Sequence, residues 1–239
     1  MSVPAAVTPA AGERNLRALI WSGPVCIGLV LFGWVALAGF LPPPSPHLSL
    51  DGVAAVWTDH ANLKRAGMVV CVWGGALYVP FTIAVGLVLR RTETGDRVLS
   101  IAQAALGTFG TVFFTLNFLI LAVVAFRPGR PSELTQQLHD LGFIMTFSPV
   151  APFTFQYVLI GLAILQDRSP APVFPRWVAY VNLWVGVLLI PACLIPFFKT
   201  GPLAWNGVLS FWIPVFVFSA WFVVMAWAML RALRPGAPG

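Results

Sequence analysis

The chain divides into six long apolar runs that are separated by short polar or proline-rich segments. Each run is 22 to 26 residues long. A transmembrane helix needs about 20 mostly apolar residues to cross the hydrocarbon core of a bilayer. The pattern therefore predicts six transmembrane helices, at about residues 18–41, 66–89, 101–126, 141–165, 177–198 and 208–230.

Two of the polar segments are predicted to form short helices at the membrane surface. Ser49 is a typical helix N-cap and Asp51 lies in the first turn of a helix that extends to about His60. Residues 132–140 read S-E-L-T-Q-Q-L-H-D and predict a second short helix, which leads into the fourth run. We therefore expect an all-α integral membrane protein, a six-transmembrane-helix bundle with short re-entrant or interfacial helices on its outer face.

Runs two, four, five and six contain interior prolines, at Pro80, Pro149, Pro191 and Pro214 respectively. Proline removes a backbone donor, and neighbouring helices, hydroxyls or water must satisfy the carbonyl that loses its partner. Kinked helices open cavities, so the prolines are the strongest indication of a ligand site in the sequence.

Composition supports the bilayer as the solvent of this chain, because 59% of the residues are hydrophobic and only 9% are charged. A soluble domain has roughly 25% charged residues. The net charge of +6 arises from basic residues spread over short loops. Such a distribution is typical of a topology signal, and we predict contact with the lipid bilayer and none with nucleic acid.

The distribution of basic residues predicts the orientation. With the N-terminus inside, nine lysines and arginines lie in the inner segments and five in the outer ones. This bias favours a multi-pass protein of the bacterial inner (plasma) membrane with both termini in the cytoplasm. We expect residues 1–16 to be a flexible cytoplasmic N-terminus, residues 17–234 a single six-helix domain and residues 235–239 a C-terminal tail.

The interiors of the runs contain uncharged polar residues and no central charge. Proton-coupled transporters, pumps and voltage sensors usually need an ionisable group in the membrane, so this absence disfavours them. Tyr78, Asn117, Gln156 and Asn182 are candidates for the lining of a ligand cavity. The alternative is that they form interhelical hydrogen bonds, which are worth about 0.6 kcal/mol each on average.

A second group of candidates is predicted on the outer face. His60, His139 and Asp140 stand where runs two and four begin, with Trp205 and Asn206 in a nearby loop. A histidine beside a carboxylate can act as a general acid–base pair or bind a metal. We therefore name His139, Asp140 and His60 as candidate catalytic residues, and Trp205 and Asn206 as further candidates for ligand binding.

The alternative for these outer residues is structural. Asp140 would then cap the fourth helix, and Asp59 would pair with Lys64. The sequence contains no zinc-binding or Ser/His/Asp motif, so it predicts no metal site and no cofactor.

Four segments are similar to those of a family of bacterial six-span integral membrane proteins for which no activity is known. They are L-P-P-P-S-P at 41–46, E-L-T-Q-Q-L-H-D-L-G at 133–142, F-P-R-W-V-A-Y-V-N-L-W at 174–184 and F-K-T-G-P-L-A-W-N-G at 198–207. The resemblance implies an integral membrane protein and implies no particular activity.

Three functions are consistent with this pattern. The leading hypothesis is that the protein binds or moves a lipophilic small molecule in a cavity of the helix bundle. The second is a membrane enzyme that acts on a lipid-like substrate at the outer histidine and aspartate residues. The third is a structural or accessory subunit of a larger membrane complex, which predicts a flat apolar face and no internal pocket. The assembly to be expected is a homo-oligomer or a membrane complex.

Overall fold

The computed structural model describes residues 9–92 and 97–234 of the chain. Within these ranges the α-helices are α1 (Pro9–Leu31), α2 (Leu50–Thr58), α3 (Ala61–Ala76), α4 (Tyr78–Leu89), α5 (Val98–Phe126), α6 (Ser132–Phe147), α7 (Ala151–Gln166), α8 (Arg176–Leu189) and α9 (Ile213–Ala232). Two π-helical segments (Phe32–Leu37 and Val208–Trp212) and one 3₁₀ segment (Ile190–Phe197) extend or precede them. No strand occurs among the described residues.

Six helical segments of the described residues are long and apolar enough to cross a membrane. Spans 1 to 6 are Ala11–Leu37, Ala61–Leu89, Val98–Phe126, Ser132–Gln166, Arg176–Phe197 and Val208–Ala232. They confirm the predicted all-α membrane bundle. The chain is a multi-pass membrane protein, and its outer surface contacts the lipid bilayer.

The spans form a closed ring in the order in which they occur in the chain. α1 contacts α3 and α4, both of these contact α5, and α5 contacts α6 and α7. The ring continues from α7 to α8 and α9, and α9 returns to α1. Its centre is filled by buried aromatic side chains: Tyr78, Phe81, Tyr157, Trp221 and Phe222.

Span 1 begins earlier than the hydrophobic run suggests. Residues 9–16, which were predicted to be flexible, belong to α1, where Arg17 bonds Glu13 at 2.6 Å, one helical turn away. Residues 1–8 and the predicted tail at 235–239 lie outside the described residues. The π-helical end of span 1 crosses α3 closely, because a Cβ on Gly67 would lie 2.5 Å from the carbonyl oxygen of Gly33.

The helix of span 2 is interrupted near Pro80, as the sequence predicts. α3 ends at Ala76 and α4 begins at Tyr78. Pro80 has no N–H to offer the carbonyl of Ala76 four residues earlier, so the helical ladder is interrupted there. Leu77 N–H bonds the carbonyl of Gly74 and closes α3 with a tighter turn.

Span 4 differs from the prediction in where its helix is interrupted. The short helix predicted at 132–140 does not end before the span, because α6 continues without a break from Ser132 to Phe147. Asp140 therefore lies inside α6 and does not cap the span. The interruption comes at Pro149, where Val150 N–H bonds the carbonyl of Ser148 at 2.8 Å.

Spans 5 and 6 lose α-helical geometry where they approach the same side of the bundle. Span 5 ends in the 3₁₀ segment, which contains Pro191 and Pro196. Span 6 begins with its π-helical segment, and Pro214 lies just inside α9. The two irregular segments contact each other.

The short helix α2 lies on this same side of the bundle and confirms the predicted N-cap. Ser49 Oγ accepts a hydrogen bond from Gly52 N–H at 3.2 Å. Val53 and Trp57 are buried, which gives α2 the predicted apolar face, and this face contacts α6.

The turn between spans 4 and 5 is organised by Asp167. Its carboxylate accepts hydrogen bonds from Ser169 N–H, Ser169 Oγ and Val173 N–H at 3.0, 2.7 and 3.0 Å. Burial acts to raise the pKa of this carboxyl, but the three hydrogen bonds outweigh it and hold the pKa below its ordinary value.

Candidate functional site

A half-open cavity of about 120 Å³ lies between spans 1, 3, 4, 5 and 6. Its wall is almost entirely apolar. The lining side chains are Ile27, Val30, Leu31 and Trp34 from span 1, Phe114 and Phe118 from span 3, Thr146, Phe147, Pro149, Val150 and Phe153 from span 4, Leu189 from span 5, and Ser210, Phe211, Pro214, Val215 and Phe218 from span 6.

The cavity lies where the spans depart from α-helical geometry. Trp34 belongs to the π-helical end of span 1, Pro149 to the break in span 4, and Ser210 to the π-helical start of span 6. Backbone that leaves the helix at membrane depth is tolerated where it is buried in protein or lines a cavity. π-Helical turns are also frequent at functional sites.

Two hydroxyl groups in the wall already have partners. Thr146 Oγ1 donates to the carbonyl of Gly142 at 2.7 Å and accepts from Asn117 Nδ2 at 2.9 Å. Ser210 Oγ donates to the carbonyl of Leu203 at 3.0 Å. These hydroxyl protons are therefore directed at the backbone.

Trp34 differs from these hydroxyls. Only 5% of its surface is exposed, and its indole Nε1 has no hydrogen-bond partner among the described residues. The sequence did not identify it as a site residue. Tryptophans of membrane proteins are enriched at the ends of the spans, in the aromatic belt. Trp34 lies deep in the first apolar run, and this position is the one signal in the sequence that could have indicated it.

Aromatic side chains cover the cavity on the side of α2. The Trp34 ring lies edge-on to Phe40, Phe143 and Phe147, with centroids 5.1, 5.7 and 5.9 Å away. Phe143 in turn stacks on Trp205 at 5.5 Å. The cover is therefore continuous with the cavity wall.

Two of the predicted outer-face residues, His139 and Trp205, meet inside this aromatic cover. His139 is fully buried, and its ring lies 5.6 Å from Trp205 and 4.5 Å from Phe143. Trp57 Nε1–H donates to His139 Nδ1 at 3.0 Å, so the ring proton of the neutral histidine lies on Nε2. Nε2 has no partner among the described residues.

The other outer-face candidates lie elsewhere. His60 has 72% of its side chain exposed and faces Asp59 at 3.5 Å, whereas His139 has no exposed surface. Asp140 and Asn206 are half-buried. The structure thus brings Trp205 to His139 and leaves His60 in solvent. Lys64 bonds the main-chain carbonyl of Asp59 at 2.6 Å.

The deep candidates Tyr78 and Gln156 belong to a hydrogen-bonded network that joins spans 2, 3 and 4. Tyr78 Oη donates to Gln156 Oε1 at 2.7 Å. Gln156 Nε2 donates to Thr82 Oγ1 at 2.6 Å and to Gln103 Oε1 at 3.2 Å. Thr82 and Gln103 were not predicted, and only their polarity within apolar runs could have indicated them.

The remaining deep candidates are Asn182 and Asn117. Asn182 Oδ1 accepts from Trp221 Nε1–H at 2.8 Å, and its Nδ2 donates to the carbonyl of Val178, so it joins spans 5 and 6. Asn117 lies behind the cavity wall through its bond to Thr146, and its Oδ1 has no partner among the described residues.

Within residues 9–92 and 97–234, no group of three histidine, cysteine, aspartate or glutamate side chains is placed to hold a metal ion. Comparison with known protein families, curated proteins and solved structures gives no match for this chain.

Proposed function

We propose that this membrane protein binds a lipophilic small molecule in the cavity between its spans. The cavity itself supports the proposal, because it holds about 120 Å³ of nearly apolar space between five of the six spans. An apolar cavity of about 150 Å³ in a soluble protein stays dry and binds benzene. The group that enters this cavity is therefore the size of one ring or the end of an aliphatic chain.

The irregular backbone around the cavity also supports a binding site. Transport proteins often place their substrate where transmembrane helices are interrupted. In this chain the irregular segments of spans 1 and 6 lie near one end of their spans. Here spans 1, 4 and 6 are irregular at Trp34, Pro149 and Ser210, and all three residues line the cavity. Three departures from α-helical geometry therefore meet at one place in the bundle.

We further propose that the chain belongs to the bacterial six-span family that its four segments resemble. It would then lie in the inner membrane with both termini in the cytoplasm. The excess of basic residues in the segments on that side, nine against five, supports this orientation.

A cavity-filling substitution tests the binding proposal. Val215 lines the cavity from α9, whereas Val223 on the same helix is 60% exposed. Val215→Phe should weaken binding of methylenecyclohexane about tenfold or more, because the larger ring occupies the ligand's volume. Val223→Phe is the matched control and should bind as the wild type does.

Binding is measured with the protein in phosphatidylcholine nanodiscs, and uptake by empty nanodiscs is subtracted. Native mass spectrometry of the same preparations should show a co-purifying lipophile in the wild type that is depleted in the Val215→Phe variant. Equal uptake by protein-containing and empty nanodiscs would refute the proposal, as would equal binding by the two variants.

A further inference from the structure

The indole of Trp34 is a hydrogen-bond donor in a cavity wall that offers it no acceptor. Trp34 lines the cavity, is 5% exposed and has no partner for Nε1 among the described residues. Leaving a buried donor unpaired is unfavourable, so such groups in native proteins usually have a partner that the bare chain does not supply.

The other polar side chains of the wall narrow the choice of partner. Thr146 and Ser210 are the hydroxyl-bearing residues of the lining, and both hydroxyl groups donate to backbone carbonyls. Among the side chains that line the cavity, the Trp34 indole is therefore the one with an uncommitted donor. Its Nε1 lies just beneath a surface that is otherwise aliphatic and aromatic.

This arrangement suits a single acceptor atom better than it suits water. A buried water molecule typically makes about three hydrogen bonds. An acceptor oxygen on an otherwise apolar molecule needs only one donor, and the rest of that molecule fills the apolar space.

We infer that the lipophilic ligand carries a hydrogen-bond acceptor, a carbonyl or ether oxygen, that binds Trp34 Nε1–H. This inference rests on the proposed function, because it assigns a chemical group to the molecule in the same cavity. It makes Trp34 a residue that determines specificity, in addition to the apolar volume that determines size.

The aromatic rings around Trp34 provide the competing explanation. Phe40, Phe118, Phe143 and Phe147 all lie edge-on or nearly so, with centroids between 5.1 and 6.2 Å from the indole. An N–H that points at a ring face makes a weak hydrogen bond of its own. In that case the indole would not distinguish a ligand with an oxygen from one without.

The test uses two probes of nearly the same shape, cyclohexanone and methylenecyclohexane, which differ by an oxygen in place of a CH₂ group. Their affinities for the protein in phosphatidylcholine nanodiscs are each corrected for partition into empty nanodiscs. We expect the wild type to bind the ketone about tenfold more tightly than the hydrocarbon, because the ketone alone can accept one hydrogen bond from a buried donor. Trp34→Phe should abolish the preference and leave binding of the hydrocarbon within about twofold.

Trp212→Phe is the matched control, because Trp212 is 43% exposed and does not line the cavity. It should keep the preference of the wild type. A second measurement needs no substitution: the ¹H–¹⁵N resonance of the Trp34 indole should move downfield with cyclohexanone and much less with methylenecyclohexane.

The outcomes separate the two proposals. If the wild type binds both probes equally, the ligand-acceptor inference is wrong and the cavity-binding function stands. If the wild type binds neither probe, both are wrong. A preference for the ketone that persists in Trp34→Phe would also overturn the inference, since another donor would then be responsible.

Discussion

Replacing Gln156 by leucine should destabilise the bundle through the network that joins spans 2, 3 and 4. The amide accepts from Tyr78 and donates to Thr82 and Gln103, at 2.7, 2.6 and 3.2 Å. Leucine has a similar volume, so the substitution removes three hydrogen bonds and leaves little empty space. All four side chains of the network are buried, and water cannot replace the lost partners.

The expected magnitude follows from the number of bonds. Interhelical side-chain hydrogen bonds in membranes contribute about 0.6 kcal/mol each on average, so three bonds amount to about 2 kcal/mol. Tyr78→Phe removes only one of them and should cost about 0.6 kcal/mol. Once Gln156 is leucine, Tyr78→Phe should cost almost nothing more, because the bond that it removes is already absent.

The free energy of unfolding can be measured in mixed micelles, with SDS as denaturant and circular dichroism as the signal. The four proteins of the cycle are the wild type, each single variant and the double variant. Tyr180→Phe is the matched control, because Tyr180 is 53% exposed. It should leave stability unchanged.

Two results would refute this reasoning. One is a Gln156→Leu variant as stable as Tyr180→Phe, which would mean that the three bonds contribute nothing net. The other is additivity in the cycle, which would mean that Tyr78 and Gln156 do not interact energetically despite their 2.7 Å separation.

Two further predictions concern stability. Gly107→Ala should destabilise the same network, because its Cβ would lie 2.5 Å from Gln156 Nε2, whereas Gly28→Ala meets nothing within 4 Å and should be neutral in the same unfolding assay. Asp167→Asn should lower stability at neutral pH, and Ser169→Ala should do so by less. Because the folded pKa of Asp167 is depressed, the carboxylate's contribution is present above about pH 4 and is lost as the pH falls through the folded pKa. A difference between wild type and Asp167→Asn that stays constant from pH 7 to pH 3 would contradict this.

The spans and the cap helix could be predicted because each depends on local physics. A run of about 20 apolar residues has no stable alternative to spanning the membrane. The N-cap at Ser49 and the helix break at Pro80 likewise depend only on residues a few positions away in the sequence. The chain needs no distant partner at either position.

The course of span 4 could not be predicted in the same way. His139 and Asp140 are polar, and polarity indicated a helix that ends at the membrane surface. In the structure α6 continues through both residues, and His139 is buried with Trp57, 82 residues away in the sequence, as its hydrogen-bond partner. The partner of Gln156 at Tyr78 is similarly remote, at 78 residues. Such pairs leave no periodic or local signal.

The hydrogen bonds divide the buried polar side chains into two groups with different consequences. In the first, donors meet acceptors on other spans, as Tyr78 does with Gln156 and Trp221 with Asn182. These bonds hold the bundle together and leave little capacity for a ligand. Polarity in the membrane alone therefore does not identify a binding residue.

The second group comprises donors for which the described residues provide no acceptor. Trp34 Nε1 and His139 Nε2 both belong to it, and both rings lie within 5.7 Å of the Phe143 ring. These two donors lie at the covered end of the bundle, where the spans are irregular, whereas a third unmatched donor, the Tyr157 hydroxyl, lies beside Trp221 at the centre of the ring. Because Trp34 lines the cavity and its ring packs against Phe143, the specificity of this protein is expected to change with substitutions around Phe143, while substitutions at Gln156 change its stability.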